Sequence, residues 1–586
     1  MTTRPAPSPA LARWALGLAV AGSLLAVSPM QAAMYSIPKL VALSAGVLLA
    51  WAALARRGEP WRATPLDRPL AACAVVLLAS FALSSDRFLS FVGRYQMYSL
   101  GLLPIALLAA LFYAAVRSGQ PEEPRPLLRL CAAVGVVMGL HALIQATGAE
   151  PIAYMPSKFP DGRAVGTLGN PAYLGACLAG LFPLALGLAL DKEGEDRVLG
   201  ALGALGAAAG MIASGSRGAF LGAAAGTGVC LWLSGRLRAP GGRRLWAAGL
   251  VLLVVAGAAV SLRPRRASAS DSARLAMWDS ALRAARLHPW LGSGPDTFEG
   301  LLRRSRTDDF VRVLGPNAGQ ANAHNDLLQA LTTTGAAGLA VYLWLAWALA
   351  ALAWRSRGDP YRAAAAGCLA ALFVQAKVNP VPLPGMVLAA LSAAWLCPAP
   401  VGAKPPRRFA VDAAAVLLCA AAFVLVLRLA SADWSHKKAV VFAAGRRPDV
   451  ALASHERAVR LNPGELQYRM IYASLLHQLA SRDPDPVRRL AWLERAVRVG
   501  RDATAWRPDE VDAHQILGTS LILLHRAGGP DLMDEAESEL DRALALDPKF
   551  TPLIQNRIIL ARERGDTARE KVLSDEMSRL EGLRAP

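Results

Sequence analysis

The feature that most constrains the fold of this chain is a series of uncharged apolar runs, each long enough to span a bilayer as a helix of about 20 residues. All the runs precede residue 430, whereas residues 431–586 are charged throughout. The sequence therefore predicts an all-α chain, with a polytopic membrane bundle in residues 1–430 and a soluble domain in residues 431–586. We predict about 13 spans, with 12–14 possible, at residues 10–29, 38–55, 69–85, 97–116, 130–147, 171–190, 197–213, 218–234, 245–262, 336–354, 361–378, 382–397 and 409–430.

The positive charge belongs to the membrane part. The chain carries a net charge of +19, but residues 431–586 contain 24 Lys and Arg against 24 Asp and Glu and are neutral. Nucleic acid is therefore not the expected partner. The excess suits either arginines that hold loops on the cytoplasmic side, or contact with anionic lipids or a phosphorylated lipid substrate.

Basic loops predict the orientation. The strongly basic short loops follow spans 2, 4, 8, 10 and 12, and such loops face the cytoplasm. The sequence therefore predicts a cytoplasmic N-terminus and a large periplasmic loop at residues 263–335. With 13 spans, the C-terminal domain is periplasmic as well. We expect the protein in a bacterial inner membrane.

The C-terminal domain contains internal repeats. The stretches ERAVRLNP, ERAVRVGR and DRALALDP begin at Glu456, Glu494 and Asp541. They resemble the second helix of a tetratricopeptide (TPR) repeat, so we predict an α-helical, TPR-like solenoid. Such a solenoid could bind a protein partner on its concave face, or could serve as a packing platform for the membrane domain.

Two arginines on the predicted outer face are candidate anion ligands. Arg217 lies in the turn SGSRG between two spans, where its guanidinium could hold two phosphate oxygens or anchor the chain to lipid headgroups. Arg274 lies in a predicted interfacial helix that Asp271 or Ser272 could cap and that ends before Pro289. Spacing alone leaves Arg274 either functional or simply exposed.

His324 is the candidate base, because histidine is the usual side chain for proton abstraction near neutral pH. Asn325 or Asp326 can cap the helix that follows it. His288 lies in the same loop and is a rival for the role. Arg163 and Asn170 lie in the predicted outer loop KFPDGRAVGTLGNPAY. They could line one cavity together with His324.

These segments, taken in order, resemble the O-antigen ligase and O-antigen polymerase superfamily. HNDLLQALTTTGAAG fits the ligase pattern through His324, Asn325, Gly335 and Gly338. SGSRGAFLG resembles the family's Ser-Arg-Gly turn, and RLAMWDSALRAARLHPWLGSGPDTF resembles the stretch that leads into its large periplasmic loop. GTLGNPAYLGA is similar to the family's Gly-Thr-x-x-Asn-Pro segment.

The resemblance implies a metal-independent glycosyltransferase that needs no cofactor and moves a glycan from undecaprenyl-diphosphate to an acceptor hydroxyl. In a ligase the acceptor is a sugar of the lipid A core. In related enzymes it is a protein hydroxyl or another lipid-linked glycan. By the same resemblance, His324 takes the acceptor proton, and Arg217 and Arg274 hold the diphosphate. Arg163, Asn170 and Asn325 are the expected substrate-binding residues beside them.

Two other classes of protein share some of these features. A transporter of envelope polysaccharide would also have many spans and outer arginines, but we would expect its charges to run through the middle of the spans. A non-catalytic scaffold, with the C-terminal domain recruiting envelope enzymes, would tolerate the loss of both Arg217 and His324.

Overall fold

The computed structural model describes residues 9–152, 162–190, 194–238, 251, 268–398, 408–445 and 447–583. Within these residues the protein is all-α, as predicted. The helices of the membrane part are α1 (Pro9–Leu25), α2 (Ile37–Arg57), α3 (Asp67–Ala82), α4 (Arg87–Val92), α5 (Leu102–Arg117), α6 (Arg125–Ala146), α7 (Pro171–Ala189), α8 (Gly194–Ser214), α9 (Arg217–Leu233), α10 (Ser268–Ala285), α11 (Phe298–Ser305), α12 (Asp308–Leu314), α13 (Asp326–Thr333), α14 (Gly335–Arg355), α15 (Pro360–Ala376), α16 (Leu383–Leu396) and α17 (Phe409–Ala444).

Membrane-spanning character is clear in many of these helices. Six of the described helices, α2, α6, α7, α8, α14 and α17, are long and apolar enough to cross a bilayer, and four shorter ones are also apolar. The protein is therefore an integral membrane protein. The span predicted at 245–262 lies outside the described residues, apart from Val251.

Small residues allow the central helices to pack closely. A Cβ built on Gly139 would lie 2.1 Å from the carbonyl oxygen of Gly206, where α6 meets α8. A Cβ on Gly226 would lie 2.4 Å from the carbonyl oxygen of Gly367, where α9 meets α15. Close backbone approach through small residues is the usual way that membrane helices associate, and here it fixes α6 to α9 and α15 as one block.

Helix α14 stands apart from that block. Only 6% of its most apolar stretch is buried within the protein, because it packs mainly on α3 and α13. A cavity lies between α14 and the helices α15 and α16.

Helix α17 joins the two parts of the chain. It is a single helix of 36 residues, and it runs through the position near residue 430 where the apolar composition ends. The helices that follow are α18 (Pro448–Leu461), α19 (Leu466–Arg482), α20 (Pro486–Trp506), α21 (Val511–Arg526), α22 (Met533–Leu546), α23 (Thr551–Glu563) and α24 (Thr567–Gly582). Each packs on the next, as a helical solenoid requires, while the TPR assignment stays a prediction.

The C-terminal helices dock on the loop segment that contains α11 and α12. Arg306 and Asp547 form an ion pair in which both side chains are only 1% exposed. The ammonium of Lys549 lies 2.6 Å from a carboxylate oxygen of Asp308, and Arg507 contacts Asp86 at 2.5 Å. The docked domain and this loop segment therefore lie at the same end of the membrane bundle.

Candidate active site

The backbone around His324 is held by local hydrogen bonds. His324 adopts a left-handed conformation with φ of 49°, and its N–H donates to the side chain of Asn322 at 3.1 Å. Asn325 caps α13 by accepting hydrogen bonds from the N–H groups of Leu327 and Leu328. Of the two caps that the sequence allowed, Asn325 is the one observed. These bonds hold the backbone from which the imidazole projects.

Two of the sequence motifs interlock immediately behind His324. A Cβ built on Gly292, with φ of 69°, would lie 2.2 Å from the carbonyl carbon of Thr333. A Cβ on Gly335, with φ of 68°, would lie 2.3 Å from the backbone of Trp290. Both positions combine positive φ with direct backbone contact, so only glycine fits. The loop HPWLGSG is thereby locked to the turn between α13 and α14.

Helix α10 brings Arg274 to the histidine. The indole of Trp278, one turn along from Arg274, donates a hydrogen bond of 2.9 Å to the carbonyl of Ala323. The expectation that Asp271 or Ser272 caps this helix is wrong, because the helix begins earlier, at Ser268, and both residues lie inside its first turns.

The environment of His324 favours the neutral imidazole. Burial lowers the pKa of His324 below its ordinary value of 6.5, and the nearby positive charge of Arg274 lowers it further. A hydrogen bond with the side chain of Asn379 opposes both effects. The Nδ1 atom is buried and has no hydrogen-bond partner among the described groups. A neutral imidazole near pH 7 can accept a proton, which is the state that a general base needs.

Asn379 also connects the histidine to the Arg217 turn. A Cβ built on Gly218, the residue after Arg217, would lie 3.0 Å from the amide nitrogen of Asn379. Gly215 turns the chain between α8 and α9 with φ of 57°. Thus the Arg217 turn and His324, which are distant in sequence, both lie beside one asparagine.

The stretch that contains Arg163 and Asn170 packs beside the same turn. The N–H of Ala164 donates to the carbonyl of Ala213 at 3.1 Å, near the end of α8. Asn170 caps α7 by accepting a bond of 2.8 Å from the N–H of Ala172. Its amide oxygen therefore has a structural role, whatever else the side chain contacts.

A large cavity opens between α14 and the bundle, and we call it the membrane cavity. It has a volume of about 830 Å³. Its walls are mostly apolar side chains of α3, α14, α15 and α16, and they include Val76, Leu77, Val341, Leu345, Leu349, Leu369, Phe373, Met386 and Ala389. The lining residues on α14 extend from Thr334 to Trp354, which corresponds to about 30 Å of helix. The cavity therefore follows the whole thickness of a hydrocarbon core.

Polar groups gather at one end of this cavity. His324, Asn325 and Asp326 line it there, while Trp232 and Trp354 line the opposite end. Asp326 binds the ammonium of Lys377 at 2.5 and 2.7 Å. The pair fixes the start of α13 against the end of α15.

Sequence reasoning missed Asn379 and Lys377, although a signal was present. Gln375 and Lys377 interrupt the apolar run 361–378, and polar groups inside a membrane segment are usually functional or paired. Lys377 and Asn379 lie at the end of this interrupted run. No local pattern predicts that they lie near His324.

Asp296 is a second titratable group that lines the membrane cavity. Burial raises its pKa to about 7, although the N–H of Arg94 donates to its carboxylate at 2.6 Å and opposes the shift. The guanidinium of Arg94 pairs with Glu299, so this cation is engaged within the loop segment.

Comparison with known families gives one match, and it covers the segment that contains the candidate site. A family model described as O-antigen ligase matches residues 202–343. This part of the chain is similar to O-antigen ligases. The match contains Arg217, Arg274 and His324, whereas Asn170 and Asn379 lie outside it. No curated protein matches the chain. The match supports a glycosyltransferase-type enzyme of the O-antigen ligase or polymerase kind.

Proposed function

We propose that this protein transfers a glycan from undecaprenyl-diphosphate to an acceptor hydroxyl, most suitably a sugar of the lipid A core, on the periplasmic face of a bacterial inner membrane. One observation carries the proposal. His324 lies at the polar end of an apolar cavity that is as long as a membrane is thick, and Arg274 and the Arg217 turn lie beside it.

The isoprenoid chain and the diphosphate of the donor each match one part of this arrangement. An isoprenoid chain is apolar and flexible, and the membrane cavity between α14 and α15 offers a matching apolar wall. The diphosphate must then lie at the polar end. Guanidinium groups bind phosphate oxygens in pairs, so Arg217 and Arg274 are the proposed ligands. Arg163, Asn170 and Asn325 border the same region and are proposed to contact the glycan.

The reaction replaces one bond at the anomeric carbon of the donor sugar. The acceptor oxygen forms the new glycosidic bond while the bond from the anomeric carbon to the diphosphate oxygen breaks. The electron pair leaves with the diphosphate, and the two arginines stabilise the growing negative charge in a poorly hydrated site. His324 accepts the proton that the acceptor hydroxyl loses.

The direct test is transfer in vitro by purified protein from a synthetic undecaprenyl-diphosphate glycan. Lipid A core oligosaccharide, a protein substrate and a second lipid-linked glycan are offered as separate acceptors. Product with the core acceptor supports a ligase, and product with either of the others assigns the protein to that branch of the superfamily. Absence of product with all three, by protein that binds the donor, would overturn the transferase proposal in favour of transport or scaffolding.

A further inference from the structure

A buried lysine lines the membrane cavity at a position that no motif singles out. Lys39 lies in the first turn of α2, and its side chain is only 2% exposed. Its ammonium donates one hydrogen bond, of 2.6 Å, to the carbonyl of Ala26 at the end of α1. An ammonium has three N–H donors, so the capacity to bind a ligand remains.

The charge of Lys39 is not balanced by the carboxylates of the described cavity wall. Asp326 is paired with Lys377, and Asp296 accepts from the backbone of Arg94. No salt bridge between Lys39 and a described carboxylate is observed. Because a buried ammonium without a counter-ion is costly at membrane depth, the position of Lys39 beside a cavity points to an anionic ligand.

Tyr35 adds a second polar group at the same place. Its ring packs on Gly169, where a Cβ would lie 2.3 Å from the ring. Its hydroxyl is buried and has no hydrogen-bond partner among the described groups, and the residue lines the membrane cavity with Lys39. A phenolic hydroxyl and an ammonium together offer donors to an oxyanion.

The Lys39 region lies at the His324 end of the bundle. Thr167, just before Gly169, donates to the carbonyl of Leu24 at the end of α1. Gly175, in the first turns of α7, packs on Ser216, since a Cβ there would lie 2.7 Å from the Ser216 side chain. Through α7, the start of α2 is therefore connected to the Arg217 turn, and Tyr35 and Lys39 themselves line the membrane cavity.

We propose that Lys39 and Tyr35 form a phosphoryl-binding subsite that positions the lipid-linked diphosphate of the donor. The inference rests on the proposed function for the identity of the lipid. The ammonium and the phenolic hydroxyl donate hydrogen bonds to phosphate oxygens, and the prenyl chain continues from there along the apolar wall. Lys39 is a positioning residue for the donor, separate from the groups that meet the reacting carbon.

The test measures binding of undecaprenyl diphosphate without sugar to purified full-length protein. Loss of a charged donor weakens such binding by about tenfold or more, so Lys39→Met should bind that much less tightly and should raise the donor KM more than it lowers kcat. Lys39→Arg should retain most of the affinity. Lys438→Met, at an exposed lysine on α17, is the matched control and should bind like the wild type.

Inorganic pyrophosphate and vesicles of phosphatidylglycerol identify the source of the phosphate. Competition by pyrophosphate but not by phosphatidylglycerol supports a diphosphate site, and equal competition by phosphatidylglycerol overturns it in favour of a general headgroup contact. Unchanged binding by Lys39→Met also overturns the proposal. If that variant does not fold, Tyr35→Phe decides, because unchanged affinity after loss of the hydroxyl contradicts the subsite.

The two proposals fail in distinguishable ways. Binding of undecaprenyl diphosphate that depends on Lys39, without glycan transfer to any acceptor, would contradict the transferase function and leave the subsite standing. Normal transfer by Lys39→Met with an unchanged donor KM would contradict the subsite alone.

Discussion

Asn379, just after α15, hydrogen-bonds the imidazole of His324, which lies just before α13. The same asparagine faces Gly218 in the Arg217 turn. One neutral side chain thus joins the proposed base to a proposed diphosphate ligand. Asn379 raises the pKa of His324, whereas the positive charge of Arg274 lowers it.

The pH profile of transfer should respond to these neighbours in opposite directions. If neutral His324 is the active form, kcat/KM falls on the acid side of its pKa, which lies below 6.5. The positive charge of Arg274 lowers that pKa, so Arg274→Gln should move the acid limb to higher pH. The Asn379 bond raises the pKa, so Asn379→Ala should move the limb to lower pH. Shifts in the same direction would contradict the assignment of His324 as the titrating base.

His324 and His288 form a matched pair for testing the general base. We expect His324→Ala to reduce kcat by roughly 10²–10⁴, the usual contribution of general base catalysis. His288, which is exposed in the structure, should tolerate the same change with transfer near the wild-type rate. Steady-state rates with the core acceptor measure both. Equal losses in the two variants would point to a defect in the loop rather than to the chemistry of His324.

The ion pair between Arg306 and Asp547 should control docking of the C-terminal domain. Both side chains are almost fully buried, so Arg306→Ala leaves the carboxylate of Asp547 with only the more distant Arg303, at 3.9 Å, and should destabilise the interface by up to about 3 kcal/mol. Faster release of the C-terminal helices in limited proteolysis is the expected readout. Arg501→Ala, which breaks the more exposed pair with Glu535, should cost less than about 1 kcal/mol and leave the proteolysis rate unchanged.

The C-terminal helices should become less stable in mild acid because of His455. Burial lowers the pKa of His455 to about 3, below its ordinary value of 6.5. The stability that depends on the neutral form is therefore complete above pH 6.5 and is lost as the pH falls toward 3.

Amide hydrogen exchange in α18 and α19 of the full chain measures this loss. The local free energy of opening should fall by up to about 1.4 kcal/mol per pH unit between about pH 6 and 4. His455→Leu should make that slope shallower, since both ring nitrogens of His455 are buried without partners among the described groups. His525→Leu, at a more exposed position, serves as the control, and a slope that His455→Leu leaves unchanged would contradict the prediction.

Apolar runs and capping residues made much of the local structure predictable. The apolar runs predict the long helices of the membrane part but not the short helices α4, α11 and α12, and residue type makes Asn325 and Asp326 both candidate caps, of which Asn325 is observed. The positive-φ glycines were recognisable as turns, but their partners were not, because the contact between Gly292 and Thr333 joins segments some 40 residues apart.

The shape of the site depended on tertiary packing that local patterns do not encode. Nothing in the sequence sets α14 apart from its neighbours, yet its separation from the bundle creates the membrane cavity. Lys39 reads in sequence as an ordinary charge at the start of a span, where lysine commonly reaches the lipid headgroups. Its burial results from the packing of α1 and α7 beside it.

Helix α17 gives the protein a fixed mechanical relation between bilayer and solvent. Its 36 residues continue without interruption from the apolar segment into the C-terminal helices, a length of about 54 Å. An unbroken helix of this kind has no loop between its two halves. A partner bound to the C-terminal helices would consequently be connected to the bilayer through continuous helical backbone rather than through a flexible linker.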